Sequence, residues 1–401
     1  MHILIAGGGI GGLAAAAALL QRGIDVDVYE RASELREVGA GIQISPNGNA
    51  VLDSLGVFEQ LRALSCDPAR KEFRLWNTGK PWPMFSLGKS VIERYGYPYL
   101  TVYRPDLHQT LADRVRALKA DAIHLDSAVT GCGQHDSGAT LILQNGQRIT
   151  ADALIGADGV RSVVRNALWP DTDAAFSGMV TWRALIPMKS LPEHMRQSVG
   201  STWIGPGGHA VNYPLRGGEI MNFAATIEGK SWTAKASFEQ GTVDECLDDF
   251  GGWHEDVQTM IRLAPTLLKW ALMKREPIPQ WTQARISLLG DAAHVTLPFL
   301  AQGAVHAIED GTVLARCLAG EEPSGVPRAL LRYEHARIGR TSRMVRGATD
   351  NTERFHSQEL ATEASAALYL EREWSAAPIA ERYDWLYSYN ANTVEIQSGH
   401  P

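Results

Sequence analysis

Cysteine is scarce in this 401-residue chain: Cys66, Cys132, Cys246 and Cys317 lie far apart. With no C-x-x-C pair and no zinc-like spacing, neither a disulfide scaffold nor a structural zinc site is expected, and the thiols fit a reducing, cytoplasmic setting. Basic charge is scarce as well. Lys and Arg number 38 against 45 Asp and Glu, a formal charge of -7, and they gather in no stripe. That excludes nucleic-acid partners, whose phosphates demand such a stripe. Long apolar runs are missing too, so no membrane span is expected. Residues 3–20 imitate the core of an export signal, but glycines interrupt them and no basic segment precedes them, which argues against export.

What is present suits a folded, enzyme-sized chain. Hydrophobic residues make up 45% and charged residues 21%, a globular balance, and the length implies two domains or one with a large insertion. The opening run HILIAGGGIGGLAAAAALLQRGIDVDVYERA reads as a buried strand, a glycine turn, an Ala/Leu-rich helix, a turn at Arg22-Gly23 and a second strand, hence a βαβ unit. Gly7, Gly9 and Gly12 have G-x-G-x-x-G spacing, which allows a tight turn, close approach of backbone to a pyrophosphate, and packing of helix on strand. A bound phosphate would meet the positive end of the helix dipole. Glu30 closes the second strand, where a carboxylate accepts from ribose hydroxyls and would repel a 2′-phosphate. Arg31 follows it and is assigned to the same end of the cofactor. The loop alone does not separate FAD from NAD.

Two more segments bear on that choice. In ADALIGADGVRSVVRNAL, Asp158-Gly159 stands at a bend with Arg161 and Arg165 beyond it. In ISLLGDAAHVTLPFLAQGAVHAIEDGTVLARCLAG, a strand from Ile286 to Leu289 meets Gly290-Asp291, and a helix starts near Gln302. Taken in order, GGGIGG with Glu30, GADGVRS, and LLGDAAH followed by AQGAVHAIED resemble the single-component FAD-dependent aromatic hydroxylases of the para-hydroxybenzoate hydroxylase type. The resemblance covers nearly the whole chain. It implies an α/β fold, with a Rossmann-like FAD-binding domain of the GR2 type (residues 1–71, 100–171 and 276–350). An inserted antiparallel β-sheet substrate domain (72–99 and 172–275) and a C-terminal helical tail (351–401) would complete it.

The same resemblance implies roles for single residues. Asp291 would accept hydrogen bonds from the ribityl chain, and the helix begun by Gln302, Gly303 and Ala304 would aim its N-terminus at the flavin side of the pyrophosphate. Asp158 and Gly159 would shape the region shared by FAD and the passing nicotinamide nucleotide. Arg104, in YRPDLH, would lie against the cofactor. Gln43, in GAGIQISPNG, would pass the isoalloxazine, with the Gly39-Ala40-Gly41 turn letting the ring come close. No second Rossmann unit is visible, which fits NADH or NADPH as a reductant that binds transiently. Asp291, His294 and His306 match no common ligand signature, so no metal is expected.

The middle of the chain has a different texture. SGMVTWRALIP, SVGSTWIG, GHAVNYPL and EIMNFAATIEG are strand-like, Arg216-Gly217-Gly218 reads as a turn, and residues 72–100 are expected to join the same layer. Period two places His209, Val211 and Tyr213 on one face of a strand and Ala210 and Asn212 on the other. From spacing alone this is either a pocket wall or a half-buried edge whose polar tips bond to backbone. HAVNYPLRGGE is similar to the matching strand of 3-hydroxybenzoate 6-hydroxylases, and a similar pair occurs in 6-hydroxynicotinate 3-monooxygenases. That likeness implies that His209 and Tyr213 meet a substrate phenol, His209 as base or relay and Tyr213 as its orienting partner. An ordinary histidine, with a pKa of ~6.5, is mostly neutral at pH 7 and able to accept a proton. Arg183 either answers a substrate carboxylate or sits on a solvated face, Trp203 is assigned to the core, and Val211, Pro298 and Phe299 complete the expected lining.

Past residue 330 the pattern is helical, and Tyr383, Trp385, Leu386 and Tyr389 share a face, read as internal packing or a dimer contact in a monomer or homodimer. DWLYSY is similar to the tail of salicylate 1-hydroxylases and 6-hydroxynicotinate 3-monooxygenases. The implied reaction is hydroxylation of a small phenolic acid of the hydroxybenzoate class, in which NAD(P)H reduces FAD and O₂ forms a C4a-hydroperoxyflavin that passes one oxygen to the ring. The alternatives are a hydroxypyridine carboxylate such as 6-hydroxynicotinate, salicylate with loss of CO₂, or a non-oxygenating FAD reductase. Two positions depart from the family pattern. Val295 stands where proline is usual, which is expected to leave that loop freer. Pro298 replaces a glutamine of the 3-hydroxybenzoate enzymes and removes a polar contact.

Overall fold

The computed structural model describes residues 1–35, 40–234 and 236–397. The Gly39 end of the expected glycine turn lies outside these described residues. Strand His2–Ala6 pairs in parallel with Asp25–Tyr29 on one side and Ala153–Gly156 on the other, and Ile286–Leu288 continues the parallel set. Thr282–Gln283 and Ile123–His124 close the six-stranded sheet at its two edges. Ile3 to Ala6 are fully buried, as expected of a parallel strand covered on both faces. Helix Ile10–Leu20 is apolar all round because it is sandwiched between this sheet and helix Gly303–Leu318. The two helices approach so closely that a Cβ on Gly311 would stand 2.7 Å from the Ala15 nitrogen.

The second sheet has eight strands, in the order Phe238–Gly241, Leu267–Lys274, Ala175–Pro187, Ile220–Ile227, Gly208–Leu215, Val199–Gly205, Arg70–Leu75 and Pro81–Ser86. It is antiparallel except at one joint. Val199–Gly205 runs parallel to Arg70–Leu75, because the two strands belong to separate excursions from the first sheet and are joined by a long crossover. Alternation sorts its residues. Trp182, Trp203, Ala210, Phe223 and Ala225 face helices Val243–Asp249 and Glu255–Arg262, which places Trp203 in the core. The opposite face carries His209, Val211 and Tyr213 and looks toward the first domain and the tail.

A single helix, Val326–Phe355, runs across the expected boundary at residue 350. Helices Glu363–Trp374 and Ala376–Tyr387 then fold back over the large sheet. Tyr383 and Leu386 are buried within the chain, and Trp385 and Tyr389 lie against Arg340, so this aromatic face serves internal packing. No helix among the described residues is long and apolar enough to cross a membrane.

Candidate cofactor and substrate site

The parallel strands all end at one edge of the first sheet, the place where open α/β sheets bind ligands. Two cavities of about 460 and 330 Å³ run end to end there. Gly7, Gly9, Glu30, Arg31, Asp158 and Gly159 line the first. Gly11, Gln43, Asp291, Gln302, Gly303 and Ala304 line the second, and Arg104 borders both. Glu30 is fixed at its rim, Oε2 accepting from the Gly8 N–H at 2.8 Å and Oε1 from that of Ala32 at 3.0 Å. Asp158 Oδ2 accepts from the N–H groups of Val163 and Val164, at 2.7 and 3.2 Å, and so holds the start of helix Val163–Leu168. Burial nevertheless pushes its carboxyl above the ordinary range, and Oδ1 is buried with no partner. Arg165 turns away from the cavity to the Val160 carbonyl and Asp173.

The glycines test whether a dinucleotide fits. Gly7 has φ +105°, and a Cβ there would stand 2.4 Å from the Ala157 carbonyl oxygen; one on Gly12 would stand 2.0 Å from that of Gly7. The fold itself forbids side chains at both. Gly9 differs: its Cβ would meet nothing within 4 Å and would project into the cavity. A glycine that the protein does not need is what a pyrophosphate passing against backbone requires. Gly9→Ala is therefore expected to leave apoprotein stability unchanged while weakening FAD binding about tenfold, or ~1.4 kcal/mol. Titrating apoprotein with FAD checks this, and equal affinity would refute it.

At the second cavity, expected to take the flavin, Gly290 has φ +63° and Asp291 opens the short helix Asp291–His294 with its side chain exposed. The Gln302 side chain is engaged elsewhere. Its Nε2 donates to Ser45 Oγ at 2.8 Å and its Oε1 accepts from Asn47 at 3.2 Å, so only its backbone serves the cavity. Below this turn lies a buried charge cluster. Arg337 pairs with Glu309 at 2.8 Å and Asp310 at 2.7 Å, and Arg340 pairs with Glu309 at 2.9 Å. Asp310 also accepts from the Gly290 N–H at 3.1 Å and from His294 Nε2 at 2.5 Å, pinning the turn from beneath. His294 is thus committed to Asp310, and no cluster of three His, Cys, Asp or Glu able to hold a metal occurs among the described residues. Val295 corrects the expected looseness. Its φ of -51° lies within proline's range and its side chain is buried, so packing holds the backbone as a proline ring would.

A third cavity, of about 120 Å³, adjoins the flavin end and shares Gln43, Arg183, Tyr213 and Pro298 with it. Its floor is built from cross-strand rows of the large sheet: Thr181, Thr226 and His209; Arg183, Ala224, Val211, Thr202 and Phe73; Asn222 and Tyr213, with Lys71 beyond. Pro298, Phe299, Phe355 and Tyr383 roof it. His209 meets the edge of the Phe299 ring at 4.7 Å, and burial, then the neighbouring His356, pushes its pKa well below 6.5. Burial also raises the Tyr213 pKa, so its hydroxyl keeps its proton. Gly41 packs so tightly here that a Cβ would stand 2.6 Å from the Tyr213 ring, and its N–H donates to Asn222 at 2.8 Å.

Two cations border this cavity. Arg183 lies over the Trp270 ring at 5.1 Å, and burial followed by Arg104 pushes its pKa down to about 10. Lys71 lies over the Tyr99 ring at 5.1 Å, and burial pushes it down to about 8. Neither pairs with a carboxylate among the described residues. Lys71, Tyr99 and Tyr383 were not anticipated from the sequence. The alternation of RKEFRL, which puts residue 71 on the face of Phe73, was the one available signal for the lysine.

Comparison with known proteins agrees with this geometry. A family model described as an FAD binding domain matches residues 1–348. The chain is 34% identical over 393 residues to 3-amino-4-hydroxybenzoate 2-monooxygenase of Streptomyces platensis, covering 98% of this chain and 97% of that one. It is 35% identical over 393 residues to 3-hydroxybenzoate 6-hydroxylase of Polaromonas naphthalenivorans, covering 97% and 96%. Klebsiella pneumoniae HpxO, solved with FAD and uric acid, is similar at a TM-score of 0.84 and 27% identity over 97% of each chain. The inserted sheet, the three glycine-turned loops and the relatives' chemistry agree: the chain belongs to the FAD-binding aromatic monooxygenase family, and FAD is its cofactor.

Proposed function

We propose that the protein uses NAD(P)H and O₂ to hydroxylate a small phenolic aromatic acid. The observation that carries this reading is the small cavity beside the flavin cavity, which combines a neutral buried histidine with cations that lack a carboxylate partner. A phenolic acid suits the histidine and one of the cations. Its ring suits Val211, Phe73 and Phe299, its hydroxyl suits His209, and its carboxylate suits a cation. FAD, once bound and reduced by the nicotinamide nucleotide, would activate O₂, of which one atom enters the ring and the other leaves as water. The chain's residues do the rest. His209 takes the phenol proton, making the ring electron-rich, and such general-base help is worth ~10²–10⁴-fold. Tyr213 keeps its proton and donates to the phenolate oxygen, while Pro298, Phe299 and Tyr383 exclude water.

Arg183 and Lys71 stand four strands apart in the large sheet. Arg183 borders the cofactor cavity, and Lys71 lies at the far side from it. The carboxylate is therefore assigned to Lys71. Lys71→Met is expected to raise the Kd of an aromatic acid at least ~30-fold, about 2 kcal/mol, and to leave that of the corresponding phenol without a carboxylate unchanged. In the wild type, affinity for the acid falls as pH rises through about 8, where free Lys71 loses its charge, and this dependence disappears in the variant. Equal losses for both ligands would remove the assignment.

The reaction is tested by rapid-mixing measurement of flavin reduction against hydroxybenzoates and hydroxynicotinates, with mass analysis of the products. One added oxygen supports simple hydroxylation, and lost CO₂ marks the decarboxylative course. Absence of coupled O₂ consumption with every acid would overturn the reading in favour of a non-oxygenating reductase.

A further inference from the structure

His209 does not end in the cavity. Its Nδ1 lies 2.7 Å from Nε2 of His356, the residue that follows the long helix Val326–Phe355. Nδ1 of His356 lies 2.5 Å from Oε1 of Glu228. His209 is 3% exposed, the His356 side chain 2%, and that of Glu228 45%. Three polar side chains thus run from the substrate cavity to the surface. The backbone braces them, since the Gly207 N–H donates to the His356 carbonyl at 3.1 Å and the Glu228 N–H to that of Gly207 at 3.0 Å.

Donor and acceptor capacity fixes the protons along this line. An ionised Glu228 only accepts, so His356 carries its proton on Nδ1 and presents a bare Nε2. That nitrogen accepts from His209, which therefore carries its proton on Nδ1. Nε2 of His209 is left bare, makes no hydrogen bond to the described residues, and is the nitrogen available to the cavity. A base needs this tautomer.

We propose that His356 and Glu228 are a proton outlet for the substrate phenol. The phenol O–H breaks as its proton joins Nε2 of His209. The Nδ1 proton of His209 passes to Nε2 of His356, the Nδ1 proton of His356 passes to Glu228, and Glu228 releases it to water. Each proton moves between lone pairs, and no oxidant or reductant enters. The inference rests on His209 as the base of the proposed reaction. Burial supports it: an imidazolium at His209 is strongly disfavoured, so a proton taken there has to move on, and the outlet ends at a half-exposed carboxylate. Phe299 and Phe355 insulate His209 at 4.7 and 5.3 Å. The titratable groups around it are His356 on the tail side and Lys71, Arg183, Tyr213 and Tyr383 around the cavity; those facing His356 are His209 and Glu228.

His356 does not line the cavity, so its role is to carry and position. The test uses FAD-loaded enzyme and follows conversion of bound phenol to phenolate by absorbance after rapid mixing. His356→Ala is expected to slow that step about 100-fold, to make it climb with pH as hydroxide substitutes, and to regain rate with added imidazole, with substrate Kd within about twofold. Glu228→Gln, a surface change that leaves the fold intact, is expected to slow it about tenfold. Normal deprotonation in both variants, or a loss in His356→Ala that neither pH nor imidazole relieves, overturns the outlet. His209→Ala is measured alongside. If it too deprotonates the phenol normally, the base itself is wrong; if only His209→Ala is impaired, the base stands and the outlet alone fails.

Discussion

His209→Ala is expected to lower product formation ~10²–10⁴-fold while NAD(P)H still reduces the flavin, so that O₂ is consumed and hydrogen peroxide replaces hydroxylated acid. The reason is the position of His209 in the third cavity, away from the loops that line the cofactor cavities. Its loss withholds electron density from the ring and does not touch the cofactor's own redox chemistry. Comparing NAD(P)H oxidation, peroxide and product in one reaction checks this, and product within about threefold of wild type would contradict it. The pH profile carries a second signature. An ordinary histidine base would lose half its activity near pH 6.5. Burial and then His356 push the His209 pKa well below that, so its acid limb is expected well below pH 6.5.

Arg337→Met is expected to destabilise the protein by about 3–5 kcal/mol, because the change leaves Glu309 and Asp310 buried with one partner withdrawn. Both carboxylates and the Arg337 side chain are fully buried, so water does not replace the lost ion pairs. Urea titration measures the loss, and one below about 1 kcal/mol would contradict the role assigned to the cluster. Acid behaviour should change with it. Burial alone would raise the Asp310 pKa, but His294 and Arg337 outweigh it and hold the carboxyl at about 2. An unfolded aspartate titrates at ~3.9, so Asp310 contributes its stability in full above about pH 4 and loses it as pH falls toward 2. Without Arg337 the folded carboxyl titrates higher, and acid unfolding moves to higher pH. Because Asp310 holds the Gly290 N–H, FAD affinity should fall as well.

The cofactor half of the site was legible in the sequence because its parts are local. Each glycine turn follows an apolar strand and precedes a helix, so spacing alone places it at the same edge of a sheet. Period two likewise put His209, Val211 and Tyr213 on one face without knowledge of their neighbours. Long-range partners were not legible. His356 lies 147 residues from His209, Glu228 lies 128 from His356, and nothing in the sequence near either marks the meeting. The aromatic tail was read as either packing or an interface because periodicity gives a helix its face and not its neighbour. Val295 was read as loosening because side-chain identity shows a proline's absence, while the conformation is set by what encloses the valine.

Helix Val326–Phe355 joins two of these observations mechanically. Arg337 grips the cluster under the flavin turn, and Phe355 roofs the substrate cavity 18 residues later, a separation of about 27 Å along an unbroken helix. A strut of fixed length transmits displacement instead of absorbing it. Loss of the support at the Arg337 end is therefore expected to be felt at Phe355 and at the His356 that follows it. The two cavities lie in different layers of the molecule, yet one unbroken helix is anchored beside the first and ends over the second.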